Sequence, residues 1–596
     1  MCGIFGIITR EQATLGPTLI EAGRMLSYRG YDSVGCATIH HTGEIDLRKD
    51  VGKVDVVAEK YNFAEMEGKR GILQLRWATF GAPSQANSQP HLDSDGNLVG
   101  AHNGNVVNNV ELREQFIAEG MTVRSANDGE SCVHAVERYI NQGCDMVEAI
   151  RRAYQVLEGD YAFVIGKVDE DVLYAIKKGS GLVAGITEDS TVVSSDLPSL
   201  LSLTRKIMRI QDGEIVILTH DSIELRSAAD GSLIERHFEE VIESMEVAQK
   251  GSYPHFMLKE IHEQPTVAGE LINLLDHSSD VDRIVERMKN ADTVYLIGCG
   301  TSYHACMIGS VYFSRLAGKA TIPVLAPQFI AQYGRAVGPN DVGMFVSQSG
   351  ETKDVLNAIE VAEEHGMGVL GLVNVIGSTL MQVSEYHIPL ACGYEISVPA
   401  TKTFTNQVLA FLYLAMRMGG HDTSTLHTLP ALMKDTIEHT AGQIESLEQK
   451  LTGIDDLYCL GYGLTYPIAL EGALKLKEIT YLHCEGMLST EFKHGPLSAV
   501  EEGYPVLFVA GREDVDLIVS GINETTTRGG MAVVFGAPNA RLETNSDLLI
   551  TLPETDPNIE ALLSVIPLQL LSYHMSLRLG YDPDFPRNLS KTLTVD

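Results

Sequence analysis

Up to about residue 240 the chain alternates short apolar segments with breaks rich in Gly and Asn. The segments 4–8, 36–39, 71–75, 99–102, 161–165, 173–176 and 215–218 have the two-residue period of strands. Apolar positions at helical spacing occupy 17–27, 109–119 and 130–157. This mixture predicts an α+β module, layered as a sandwich, over 2–238. Residues 238–251 turn acidic and lose the pattern, which places a linker at 239–252. A largely helical stretch then opens at 253–265.

Beyond the linker the pattern repeats. With a fixed offset of 163 residues, Tyr295, Gly298, Gly300, Tyr303 and Gly309 fall on Tyr458, Gly461, Gly463, Tyr466 and Gly472. Phe345 and Val346 fall on Phe508 and Val509, and Gly366 falls on Gly529. Both copies run strand, glycine turn, helix, strand, helix, strand, the order of a doubly wound α/β sheet. Two such domains are expected, at 253–430 and 431–596, with ligands at the carboxyl ends of their strands. The copies differ at that edge. Copy one has Ser347-Gln348-Ser349-Gly350-Glu351-Thr352 ahead of a helical stretch, whereas copy two has Ala510-Gly511-Arg512. Hydroxyls and backbone amides before a helix suit an anion, so copy one is the expected binder.

Composition narrows the partners. The 596 residues carry 45 Lys+Arg and 79 Asp+Glu, a formal charge of −34. Such a field repels phosphate backbones, so no nucleic-acid partner is expected. The apolar runs fall short of the ~18–20 residues of a membrane span, and residues 1–30 lack a secretory signal pattern. The nine cysteines are dispersed without CxxC spacing, which argues against zinc sites and a disulfide framework and for a reducing cytoplasm. Acidity and an anion loop are compatible when the loop works through hydroxyls and amides.

Several segments bring chemistry to the first module. Once Met1 is removed, Cys2 offers a thiol and a free α-amine of pKa ~8 that can act as its base. A cysteine there carries little by itself. His102-Asn103-Gly104 ends an apolar strand and supplies a side-chain amide and a flexible backbone N–H, the donors of an oxyanion hole. Arg76-Trp77-Ala78-Thr79 offers a guanidinium for a carboxylate, and Asp128 a counter-charge for an ammonium. Together they suit an α-amino acid with a carboxamide side chain.

MCGIFGI, YRGYDS (28–33), RWAT (76–79), HNG (102–104) and the Asp128 region resemble a class II glutamine amidotransferase domain. CGTSYH (299–304), SQSGET (347–352), VPATKTFTNQ (398–407), EGALKLKEI (471–479), KHGP (493–496) and PRNLSKTLTVD (586–596) resemble the glutamine–fructose-6-phosphate aminotransferase (isomerizing) family. The match is collinear over essentially the whole chain. It implies an N-terminal nucleophile domain followed by two sugar isomerase (SIS) domains. The implied reaction makes glucosamine 6-phosphate and glutamate from fructose 6-phosphate and glutamine, opening hexosamine synthesis, with ammonia passed internally.

The resemblance also implies roles. Cys2 would be the nucleophile, Asn103 and Gly104 the oxyanion donors, and Arg76 and Asp128 the holders of the glutamine carboxylate and ammonium. Thr79 would line the glutamine site, and Trp77 would lie where ammonia is gated. Thr301, Ser302, Ser347, Gln348, Ser349 and Thr352 would bind the sugar phosphate, with Val398 beside the sugar. Glu478 would move a proton between C1 and C2, assisted by Lys475, and Lys591 would form a Schiff base with the ketose. His494 would open the sugar ring from a neighbouring subunit, which implies a homodimer. Thiol, amine, carboxylate, imidazole and lysine cover each step, so no metal or organic cofactor is expected.

The chain departs from the family pattern at three places. Phe80 replaces a histidine beside the glutamine site, Ala400 replaces a serine that contacts the sugar, and Ser590 stands where alanine precedes the lysine. Two other readings stay open: an amidotransferase with another acceptor, and a sugar-phosphate sensor without turnover. The first lacks an SGGxDS nucleotide loop or an acidic strand-end pair. The second leaves the Glu478, His494 and Lys591 motifs unexplained.

Overall fold

The computed structural model describes residues 2–78, 80–241 and 250–591. They form two compact units, one ahead of the 242–249 segment and the other Lys250–Lys591.

The first unit stacks antiparallel sheets of eight and seven strands. Strand Gly3–Thr14 shows how: Ile4 and Ile8 enter the layer shared by both sheets, while Phe5 and Ile7 face helix Gly16–Leu26 on the other side. Strand Gly159–Lys167 divides likewise. Ala162 and Val164 enter the inter-sheet layer, and Tyr161, Phe163 and Ile165 pack with helices Asp128–Ile140 and Met146–Val156. The layers therefore run helix, sheet, sheet, helix, as the alternation implied.

Every predicted strand segment lies within an observed strand. The helical pattern over 130–157 resolves into two helices rather than one. Gly143 at φ 88° breaks the chain between them, and Asp145 caps the second by accepting the Glu148 amide at 2.8 Å. Periodicity runs through the break because both helices cover the same sheet face. Glu239–Glu240 pair with Lys206–Ile207 at a sheet edge. Residues 242–249, most of the expected linker, lie outside the described residues.

In the second unit, helices Phe256–His277 and Ser279–Asn290 precede the first copy. Its five parallel strands lie in the order Ile322–Leu325, Val294–Gly298, Val342–Ser347, Gly368–Val373, Tyr386–Pro389. The second sheet has the same order: His483–Leu488, Asp456–Gly461, Pro505–Val509, Met531–Gly536, Leu548–Thr551. In each, the chain steps to the edge and then back past its first strand, which opens a crevice at the strand ends.

The repeated glycines do the same work twice. Gly300 and Gly463 have φ of 50° and 55°, the left-handed turn from strand to helix. Gly309 and Gly472 let those helices close on a neighbour: an added Cβ would stand 2.7 Å from the Phe411 ring and 2.6 Å from Leu568. One apolar core, including Tyr312, Phe411, Leu476 and Leu571, runs through both copies. No described helix is long and apolar enough to cross a membrane.

Candidate active sites

In the first unit, Cys2 is buried just ahead of strand Gly3–Thr14. Antiparallel pairing of Gly3 with Leu75 on strand Glu67–Arg76 carries Arg76 and Trp77 to the thiol. The Trp77 amide donates to Cys2 Sγ at 3.3 Å, and Sγ lies 3.5 Å from the Trp77 carbonyl oxygen. Burial pushes the thiol pKa up, and the Trp77 backbone contact offsets this only in part, so a neighbouring base is needed to make the thiolate. Arg29 holds the residue by donating from Nε to the Cys2 carbonyl at 3.2 Å and from Nη1 to Asp196 at 3.1 Å.

Arg76 is fully buried. Its Nη2 donates to the carbonyls of Phe80 and Gly81, the latter at 2.7 Å, while Nε and Nη1 have no hydrogen-bond partner among the described residues. Buried donors left unpaired cost free energy, and an anionic acceptor such as a carboxylate would relieve it. Asn103 is equally poised, with both side-chain amide atoms buried and unpartnered among the described residues. Gly104 sits at φ 110°, where an added Cβ would come 2.1 Å from the Asp160 carbonyl oxygen. Asp128 accepts the Val106 amide at 3.0 Å and lies 3.8 Å from His102 Nε2. Burial lowers the His102 pKa, so its imidazole is neutral. Thr79 lies outside the described residues.

In the second unit, the first sheet's crevice opens where strands Val294–Gly298 and Val342–Ser347 pair in parallel. Ser347 Oγ accepts the Gly350 amide at 2.9 Å and lies 3.0 Å from Thr352 Oγ1. Ser349 Oγ accepts the Glu351 amide at 3.1 Å. Thr352 then stands at the start of helix Lys353–Glu364, without a side-chain cap bond, and the helix N-terminus supplies amides and a positive dipole end. The Gln348 carbonyl is tied to the Asn374 amide at 3.2 Å. Across the crevice, Gln407 donates to Ser302 Oγ at 3.0 Å.

Helix Thr465–Thr480, from the second copy, brings ionisable groups to Thr301 at that edge. Glu471, Lys475 and Glu478 recur at helical spacing on one face. Lys475 Nζ lies 2.6 Å from Glu478 Oε2, 3.4 Å from Glu471 and 3.2 Å from Thr301 Oγ1. Burial lowers the Lys475 pKa, but its two carboxylates outweigh that and keep it an ammonium. Burial raises the Glu478 pKa from its ordinary value in spite of Lys475. Glu471 is absent from the sequence-based set. It is fully buried, accepts Thr301 Oγ1 at 3.0 Å and lies 2.7 Å from His304 Nδ1. Its spacing to Lys475 and Glu478 was the available signal.

The chain's last described residues are pinned from afar. Asp584 accepts the Phe256 and Met257 amides at 2.9 and 2.8 Å, capping helix Phe256–His277, and its carbonyl accepts the Val398 amide at 2.9 Å. Arg587 stacks 4.0 Å over Tyr481. Lys591 is consequently not a frayed surface residue: its side chain is 4% exposed and pairs with buried Glu395 at 2.5 Å. His494 stands apart. It is exposed on the short helix Phe492–His494, and its side chain makes no hydrogen bond or ion pair among the described residues. In copy two the corresponding crevice holds Arg512, which pairs with Glu554 and Glu560 at 3.2 and 3.1 Å.

A glutamine amidotransferase domain model matches residues 75–202, and an SIS domain model matches residues 287–417 and 450–579. The class is thus a glutamine amidotransferase joined to two SIS domains. Glutamine–fructose-6-phosphate aminotransferase (isomerizing) of Thermococcus kodakarensis is 38% identical over 610 residues, covering 100% of both chains. The protein of that name in Aquifex aeolicus is 37% identical over 603 residues, again with 100% of both covered. The C-terminal domain of glucosamine-fructose-6-phosphate aminotransferase from Francisella tularensis matches with a TM-score of 0.53 at 31% identity, covering 57% of this chain and 100% of that one. The chain belongs to the glutamine–fructose-6-phosphate aminotransferase (isomerizing) family.

Proposed function

We propose that the protein's two units divide one reaction, the first releasing ammonia from glutamine at Cys2 and the second fixing it on a sugar through Lys591, Glu478 and Lys475. The enzyme converts fructose 6-phosphate and glutamine to glucosamine 6-phosphate and glutamate. With Met1 removed, the α-amine of Cys2 takes the thiol proton, and the thiolate attacks the glutamine amide carbon. Asn103 and Gly104 receive the oxyanion, while Arg76 and Asp128 hold the amino-acid end. Trp77 gates the ammonia, which is delivered internally.

In the second unit the 347–352 loop, with Thr301 and Ser302, binds the phosphate, and Val398 lies against the sugar. Lys591 condenses with the C2 carbonyl, ammonia replaces it, and Glu478 carries the proton between C1 and C2 beside the fixed charge of Lys475. His494 opens the ring in the site of a second copy, consistent with its exposure, so the working form is a homodimer. The domains divide at 238, 252 and 430, and the enzyme acts in the cytoplasm. The observation that supports this reading best is the pair of prepared sites: Arg76 and Asn103 groups without partners among the described residues in the unit that holds Cys2, and a buried Lys591 paired with Glu395 in the unit that holds Glu478. Glucosamine 6-phosphate formation from glutamine and fructose 6-phosphate tests it; intact protein that makes none would exclude the reading.

A further inference from the structure

The partner of Lys591 is as carefully held as Lys591 itself. Glu395 Oε1 accepts the Thr401 and Thr403 amides at 2.9 and 3.1 Å, and Oε2 accepts the Thr403 hydroxyl at 2.7 Å besides Lys591 Nζ at 2.5 Å. A second buried carboxyl lies close to it. Glu260 Oε1 accepts the Ile396 and Ser397 amides at 2.6 and 3.2 Å, and its Oε2 has no hydrogen-bond partner among the described residues. Burial and the charge of Glu395 push Glu260 up to about 8, so it is uncharged at neutral pH. The other cation facing this group, Lys402, is committed to Glu263 at 2.8 Å. Lys591 and Glu395 therefore form one cation facing one anion, both shielded from water.

An ammonium has no lone pair, so Lys591 must lose a proton before it can attack a carbonyl, and shielding from water leaves Glu395 as the acceptor in contact. We infer that Glu395 is the proton partner of Lys591, taking a proton from the ammonium and returning it to the hydroxyl that departs from the sugar. This rests on the reading of Lys591 as the imine-forming residue. The amine lone pair forms the C2–N bond as the carbonyl π pair moves to oxygen, and Glu395 passes a proton from nitrogen to that oxygen. The nitrogen lone pair then forms C=N, the C–O bond breaks, and the proton held by Glu395 leaves with the hydroxyl as water. Ammonium plus ketone give iminium plus water, and Glu395 ends as the carboxylate that pairs with the iminium. Burial alone would raise the Glu395 carboxyl, but the Lys591 charge and the Thr403 and Thr401 donors outweigh it and hold Glu395 below its ordinary value, so it rests as the carboxylate and carries the proton only in passing.

The test mixes full-length protein with fructose 6-phosphate, quenches with borohydride at successive times and counts the adduct on Lys591 by mass spectrometry. Calorimetric binding of the sugar is measured alongside. Glu395→Gln is expected to slow adduct formation at saturating sugar by about 10²-fold or more while binding persists. Glu395→Asp, which keeps a carboxylate, should fall between it and the wild type. A structural role would instead weaken binding and leave the rate per bound sugar intact. Adduct formation in Glu395→Gln at the wild-type rate overturns the inference. If that variant does not bind sugar, Glu395→Asp decides: slowed adduct formation supports the inference, and an unchanged rate overturns it. Wild-type protein that binds the sugar without adduct at Lys591 refutes the imine reading, and this inference with it.

Discussion

The first site is defined by what single side chains leave unsatisfied. Arg76 spends one nitrogen on the Phe80 and Gly81 carbonyls and keeps two without partners among the described residues. Phe80 serves it through the backbone, so the loss of a histidine side chain there leaves this contact standing. Arg76→Lys should therefore raise the glutamine KM by about 10–100-fold, the worth of a lost charge-assisted pair. Phe80→His should move KM far less. Steady-state glutaminase kinetics separate the two, and equal effects would contradict the backbone argument. Cys2→Ala should abolish glutamine hydrolysis while fructose 6-phosphate still binds; residual hydrolysis at the wild-type rate would remove Cys2 from its role.

At the scale of elements, the repeat is a packing device before it is a catalytic one. Gly309 and Gly472 stand at equivalent helix positions, but their neighbours differ in compliance. A Cβ on Gly309 meets ring carbons of Phe411 at 2.7, 2.9 and 3.0 Å, whereas one on Gly472 meets the Leu568 tip at 2.6 Å and its inner carbons at 3.2 and 3.3 Å. A ring anchored in the core yields less than a leucine tip. Gly309→Ala should cost about 1–3 kcal/mol, and Gly472→Ala less, in urea unfolding. The reverse order would show that the helices shift as bodies. Divergence between the copies has a physical form as well. One crevice kept the hydroxyls of Ser347 and Thr352, and the other holds Arg512 in ion pairs with Glu554 and Glu560.

For the molecule as a whole, charge and pH meet in the second unit. The net −34 is a surface property, whereas stability depends on the few carboxyls inside. Glu260 sits at about 8 when folded against an ordinary value of 4.5. Between those values the folded state holds a proton that the unfolded chain has lost, so its contribution is complete below the lower value and declines as pH rises toward the upper. Wild-type protein should thus lose stability relative to Glu260→Gln from about pH 5 to pH 8, by up to ~1.4 kcal/mol per pH unit. Urea unfolding across that range checks it; parallel profiles for the two proteins would place the Glu260 proton elsewhere.

Much of this architecture could be read along the chain, because strand and helix periods are local consequences of backbone geometry. Residues 4–8 alternate as they do because successive side chains leave a strand on opposite faces, and Gly300 and Gly463 mark turns whose φ only glycine adopts easily. The same logic locates Cys2, Asn103 and the 347–352 loop, whose chemistry lies in residue type and spacing. The break at Gly143 escaped it, since two helices on one sheet face share one apolar phase. Contacts between distant segments were decided only by tertiary packing. Lys591 and Glu395 are 196 positions apart, and Asp584 caps a helix 328 positions away, so no local pattern links them. Whether a lysine at position 591 is solvated or buried depends on which carboxylate the fold sets against it.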